Sequence, residues 1–106
     1  MMKFKDWISP NIGYKIVAFD GEKAYSLYGG KEYPISIETG SVITDLKGFF
    51  LATNIAFAKD YYSGLTDDQD MILTYEYHPD DVIFGDPTSD GEIKVKKAKL
   101  IGKKIL

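Results

Sequence analysis

The run Gly13-Tyr14-Lys15-Ile16-Val17-Ala18-Phe19 is rich in β-formers and ends on Asp20-Gly21, a pair whose tolerance of positive φ suits a two-residue hairpin turn. This commits the N-terminal part of the chain to an antiparallel pair, with residues 23–28 as the return strand. Gly29-Gly30 breaks that strand, and Lys31-Glu32-Tyr33-Pro34-Ile35 reads as a short extended piece. Pro34 has no N–H to give to a ladder, so this piece belongs at a sheet edge. Residues 38–46 read mostly as loop.

Gly48-Phe49-Phe50-Leu51-Ala52 is a short apolar run that fits a buried strand. Thr53 or Asn54 can then cap a helix by accepting a hydrogen bond from a free backbone amide. The helix is predicted over residues 55–62, where Ile55, Ala58, Tyr61 and Tyr62 supply an apolar stripe, and Ser63-Gly64 ends it. Residues 71–77 are long, β-rich and partly alternating, which places them as a central strand closed by His78-Pro79. A turn with a short strand (80–84) and a polar turn (86–91) follow. In the last strand, Ile93, Val95, Ala98 and Leu100 alternate with lysines. The order of elements predicts an α+β fold with one main helix packed on a curved, mainly antiparallel sheet.

At 106 residues, 44% of them apolar, the chain holds enough material for one core but not for two, so residues 1–106 are expected to form a single domain. The absence of cysteine excludes disulfide frameworks, thiol catalysis and cysteine-based metal sites. Two lysines near the start have no apolar run behind them, so no secretory signal is expected in residues 1–8. No stretch approaches the length of a membrane span. The expected location is the cytoplasm of a host cell, with no membrane partner.

All 13 basic residues are lysine. Without arginine there is no planar fork to grip phosphate through two parallel bonds. A net charge of −3 gives no general attraction to a polyanion, which argues against direct nucleic-acid binding. Charge is nevertheless segregated. From Asp60 to Glu92 there are ten acidic residues and no basic one, whereas from Lys94 to Lys104 there are six lysines and no acid. Three readings follow: a solvated acidic loop beside a lysine-protected edge strand, a protein-binding surface with an acidic side formed by Asp67, Asp68, Asp70, Asp80 and Asp81, or a basic strand that binds nucleic acid.

Asp67, Asp68 and Asp70 look like a hard-cation cluster, but a calcium loop also needs a mid-loop glycine and a terminal glutamate, which are missing at the required offsets. His78 is the single histidine and has no nucleophile elbow to serve. The glycines give no phosphate-binding fingerprint, so no cofactor is expected. Most aromatic residues are expected in the core. Tyr14, Phe50 and Tyr62 are the residues that would line a groove between the first strand and the helix.

The segments Gly13-Tyr14-Lys15-Ile16-Val17, Gly30-Lys31-Glu32-Tyr33, Lys47-Gly48-Phe49-Phe50-Leu51-Ala52 and Tyr75-Glu76-Tyr77-His78-Pro79-Asp80-Asp81-Val82 occur in an order that resembles a small phage and prophage domain. It is similar to the C-terminal domain of the phage rapid-lysis-inhibition B protein over residues 13–104. Those relatives typically carry histidine at the position of Phe50, and often cysteine shortly after. Both are absent here, so the resemblance implies a fold rather than an enzymatic role. A weaker likeness is to the compact ADP-ribosyltransferase fold, in which Glu92 would hold the ribose and polarise the acceptor.

The expectation is therefore a non-enzymatic phage or mobile-element accessory protein that binds and modulates a host protein, one with a basic surface, in the manner of a counter-defence factor. The alternatives are an ADP-ribosyltransferase-like enzyme using Glu92 and a structural or lysis-associated phage component.

Overall fold

A computed structural model describes residues 11–28 and 31–106; the expectation for residues 1–8 and the Gly29-Gly30 break lie outside them. The elements run β1 (Asn11–Phe19), β2 (Ala24–Tyr28), β3 (Lys31–Ile35), β4 (Val42–Ala52), α1 (Ile55–Tyr62), β5 (Gln69–Tyr77), a 3-10 turn (Pro79–Asp81), β6 (Val82–Phe84) and β7 (Glu92–Ile105). All strand pairings among them are antiparallel. One α-helix on a mainly antiparallel sheet is the α+β arrangement that the order of sequence patterns predicts.

The first hairpin is longer than its Asp-Gly pair predicts. Phe19 pairs with Ala24, so Asp20, Gly21, Glu22 and Lys23 all belong to the connection. The reason is the Asp20 side chain, whose Oδ1 accepts the backbone amides of Lys23 at 2.7 Å and Glu22 at 2.8 Å. This Asx-type closure takes two more residues than a tight turn. The same bonds, that from Lys23 foremost, hold the Asp20 carboxyl below its usual range. Beyond β2, β3 has no second neighbour among the described residues and forms the edge of their sheet, as Pro34 requires.

The segment read as loop contains the first part of β4. Val42, Ile43 and Thr44 pair with Lys99, Ala98 and Lys97, after which the register jumps to Phe49 opposite Val95. Asp45, Leu46, Lys47 and Gly48 bulge from the ladder, and Leu46 is 86% exposed. Gly48 turns the chain back at φ 85°; a Cβ there would come within 2.5 Å of Ile83 and 2.8 Å of Lys94. A bulge of this kind depends on the partner strand, so no local pattern announces it.

Helix α1 begins where its cap dictates. The Asn54 side chain accepts the Phe57 amide at 2.7 Å, satisfying one of the free first-turn donors, an interaction of about 1 kcal/mol. Its inward face differs from the predicted stripe. Ala58 is buried with Ile16, Ala52 and Ile72, and Tyr14, Phe57 and Tyr62 pack against this small cluster. Ile55 and Tyr61 face outward.

β5 is central as predicted: it pairs with β1 from Asn11↔Tyr77 through Phe19↔Gln69, and with β7 on its other side. β7 is also interior, flanked by β4, β5 and β6. The lysine-protected edge is thus not what its lysines make. They occupy outward positions on a strand whose inward residues, Ile93, Val95, Ala98 and Leu100, are buried. The pairings close a circuit, β1 to β4 to β7 to β5 and back to β1, in which β1 and β4 share the single bridge Tyr14↔Ala52. The main core lies on the inner side of these four strands. Leu51, Leu73, Tyr75, Ile93, Val95 and Leu100 are its largest sealed side chains, each contributing about 1.5–3 kcal/mol by leaving water.

Candidate functional site

Beyond the Tyr14↔Ala52 bridge, β1 and β4 part, and a groove of about 970 Å³ opens there. Its floor comes from β1 (Lys15, Ile16, Ala18) and β4 (Phe49, Phe50); the β2–β3 hairpin contributes Leu27, Tyr33 and Pro34. Tyr62 of α1, Leu65, Thr66 and Asp70 close another side, and Glu92 and Lys94 of β7 enter it as well. The volume falls within the range of ligand-binding clefts, and mostly apolar walls with a few converging polar groups are their usual make-up.

Of the predicted groove residues, Phe50 and Tyr62 line this space and Tyr14 does not. Tyr14 instead packs against the helix cluster with Ile16 and Ala58. Glu92 and Asp70 also reach the groove, so four of the residues singled out in the sequence converge. The residue that sequence reasoning passed over is Lys15. Its position as a lone charge in a β-forming run, on a strand that pairs with both β4 and β5, is the signal that could have revealed it.

Lys15 Nζ donates to the Phe50 carbonyl oxygen at 3.3 Å, filling in where the β1–β4 ladder has stopped. Burial lowers its pKa, and the negative charge of Glu92 acts in the opposite sense. Glu92 mirrors it: desolvation raises the carboxyl, and Lys15 pulls it back down. The two are not in ion-pair contact, for among the described residues the one pair within 4.0 Å is His78 with Asp80. Lys94 stands over the Phe50 ring with Nζ 5.3 Å from the centroid, a cation–π contact that holds this ammonium at the groove. The Tyr62 hydroxyl is buried and has no hydrogen-bond partner among the described residues.

The acidic residues divide into two groups. Asp67 and Asp68 are exposed in the α1–β5 loop, between the groove-lining residues Thr66 and Asp70. Asp70 is half-buried, and its Oδ2 accepts the Gly64 amide at 2.9 Å, which holds that loop in place. Asp80 and Asp81 lie in the 3-10 turn past the other end of β5. Strand residues 71–77 separate the groups, about 23 Å. The contiguous acidic run in sequence is therefore two separate patches in space, and only the first adjoins the groove.

Among the described residues no helix is long and apolar enough to cross a membrane. No family model, curated protein or solved structure matches this chain.

Proposed function

We propose that this chain is a non-enzymatic accessory protein of a phage or mobile element that binds and modulates a host protein, with the groove and its adjoining acidic loop as the contact surface. One observation carries the reading: the exposed residues Asp67 and Asp68 belong to the loop segment whose Thr66 and Asp70 line a large, mostly apolar groove. Such a surface complements a partner segment that combines lysine or arginine with an apolar anchor, since opposite potentials steer the encounter and the anchor supplies affinity. Asp80 and Asp81 fall outside this contact and act, in this reading, as solubilising charge. The sheet is taken to curve around the main core, a reading supported by the circuit of pairings.

The test is a pull-down from host lysate at low and high salt with the parent and the Asp67→Lys/Asp68→Lys variant. A saturable partner retained by the parent at low salt, and lost on charge reversal, is the expected result. Absence of any saturable, salt-sensitive partner refutes it, and self-association in sizing experiments would point instead to a structural or lysis-associated component.

A second reading is favoured by the presence of Glu92 in the groove with Phe50 and Tyr62, the arrangement an ADP-ribosyltransferase-like enzyme would use. Transfer of label from nicotinamide dinucleotide to lysate proteins, abolished in Glu92→Gln, would establish it over the binding reading.

A further inference from the structure

A lysine side chain ordinarily keeps its ammonium in water, because moving that charge out of water costs several kcal/mol unless it is paired. Lys15 is only partly compensated. Among the described residues one of its three donors has an acceptor, the Phe50 carbonyl, and Glu92, the carboxylate whose charge acts on it, lies beyond ion-pair contact. The side chain is not sealed in the core; it lines an open groove that is large enough for a small molecule. An amine held this way spends more of its time neutral than a surface lysine does, and the neutral amine is the nucleophile. In the same groove Glu92 carries a carboxyl whose desolvation favours the protonated form. Apolar walls from Ile16, Phe49, Phe50 and Leu65 suit an alkyl or aryl chain.

We propose that Lys15 is a reactive amine that captures a small apolar aldehyde in the groove as an imine, with Glu92 moving the protons. The nitrogen lone pair forms a bond to the carbonyl carbon while the carbonyl π pair moves to oxygen. A proton passes from nitrogen to that oxygen to give the carbinolamine. The Glu92 carboxyl then protonates the hydroxyl, the nitrogen lone pair expels it as water to form the C=N bond, and the carboxylate recovers a proton from nitrogen. Amine and aldehyde give imine and water, with no oxidant or reductant required. Capture is stoichiometric, so it stands on the groove geometry and is independent of the host-protein reading.

The experiment uses the full chain with hexanal as the probe and cyanoborohydride to trap the imine at neutral pH, followed by peptide mapping of adducts on all 13 lysines. The remaining lysines of the same molecule are the internal control, so no variant has to fold for the comparison to hold. Lys15 is expected to be modified several-fold faster than the exposed lysines, since burial lowers its pKa and so raises its neutral fraction. In Glu92→Gln the Lys15 rate is expected to fall by about tenfold or more while the other lysines are unchanged. Labelling of Lys15 at or below the rate of the exposed lysines overturns the proposal. An unchanged Lys15 rate in Glu92→Gln, with circular dichroism showing the variant folded, overturns the role of Glu92.

Discussion

β1 meets its two neighbours in different ways. Against β5 it is registered at nine positions, and the inward side chains beneath that ladder, Val17 and Leu73 among them, are sealed from solvent. Against β4 it has one bridge, and past that bridge the strands are joined by a lysine side chain rather than by backbone. Complete pairing sets neighbouring strands about 4.8 Å apart and leaves room only for interdigitated core. Interrupted pairing leaves a gap, and the gap is where charge and open volume collect. The candidate site is thus a consequence of where the ladder stops.

The strongest way to break this contrast is to cut a side chain on each side of it. Leu73→Ala removes a fully buried side chain and should destabilise by about 3–4 kcal/mol in chemical denaturation, because the surrounding strands cannot collapse into the cavity. Phe50→Ala, on the half-buried groove wall, should cost only about 1–2 kcal/mol because part of its surface is already wet. Equal losses would mean that the groove wall is core.

Next in size is Tyr75→Phe. The Tyr75 ring packs edge-to-face on Phe49 at 6.3 Å, but its hydroxyl is fully buried without a partner, and burial pushes its pKa well above the usual range. Removing an unsatisfied buried hydroxyl while keeping the ring should stabilise by about 1 kcal/mol, raising Tm by roughly 4–8 °C. A drop in Tm would show that the sealed side of the sheet contains a hydrogen bond of its own.

The smallest effect is expected at the acidic loop. Reversing Asp67 and Asp68 to lysine touches exposed side chains that accept no hydrogen bond among the described residues, so stability should shift by no more than about 0.5 kcal/mol each. Thermal denaturation of this pair checks that loss of partner binding in the charge-reversal experiment reports contact and not unfolding. Asp70 is left in place in that variant because it accepts the Gly64 amide.

What the sequence made legible was chemistry contained in a few neighbouring residues. The Asn54 cap, the helix over residues 55–62 and the edge position of Pro34 each follow from groups close in sequence. What it hid depended on partners far along the chain. The bulge at residues 45–48 exists only in relation to β7, and the lysines of β7 read as an edge because their sequence cannot say that strands lie on both sides. The last part of β7 was missed because Gly102 and the Lys103-Lys104 pair break its alternation. In the candidate site, Phe50, Tyr62 and Glu92 were chosen on residue type and expected position, and they do converge. Lys15 was missed because a charge within a strand looks solvated until the separation of β1 from β4 is known.

The circuit of pairings also bears on how the molecule acquires its shape. Asn11 at one end of β1 must find Tyr77 at one end of β5, and β7 must then reach back to both β4 and β5. Little of this can be zipped up from a single hairpin, because the ring closes only when segments many residues apart arrive together. Chains dominated by such distant pairings pay their loop entropy early and collapse late, folding on the order of milliseconds to seconds rather than microseconds. During that interval β4 and β7 are bare hydrophobic strands, and the lysines spaced along β7 are then the charges that keep one unfinished molecule from pairing with another.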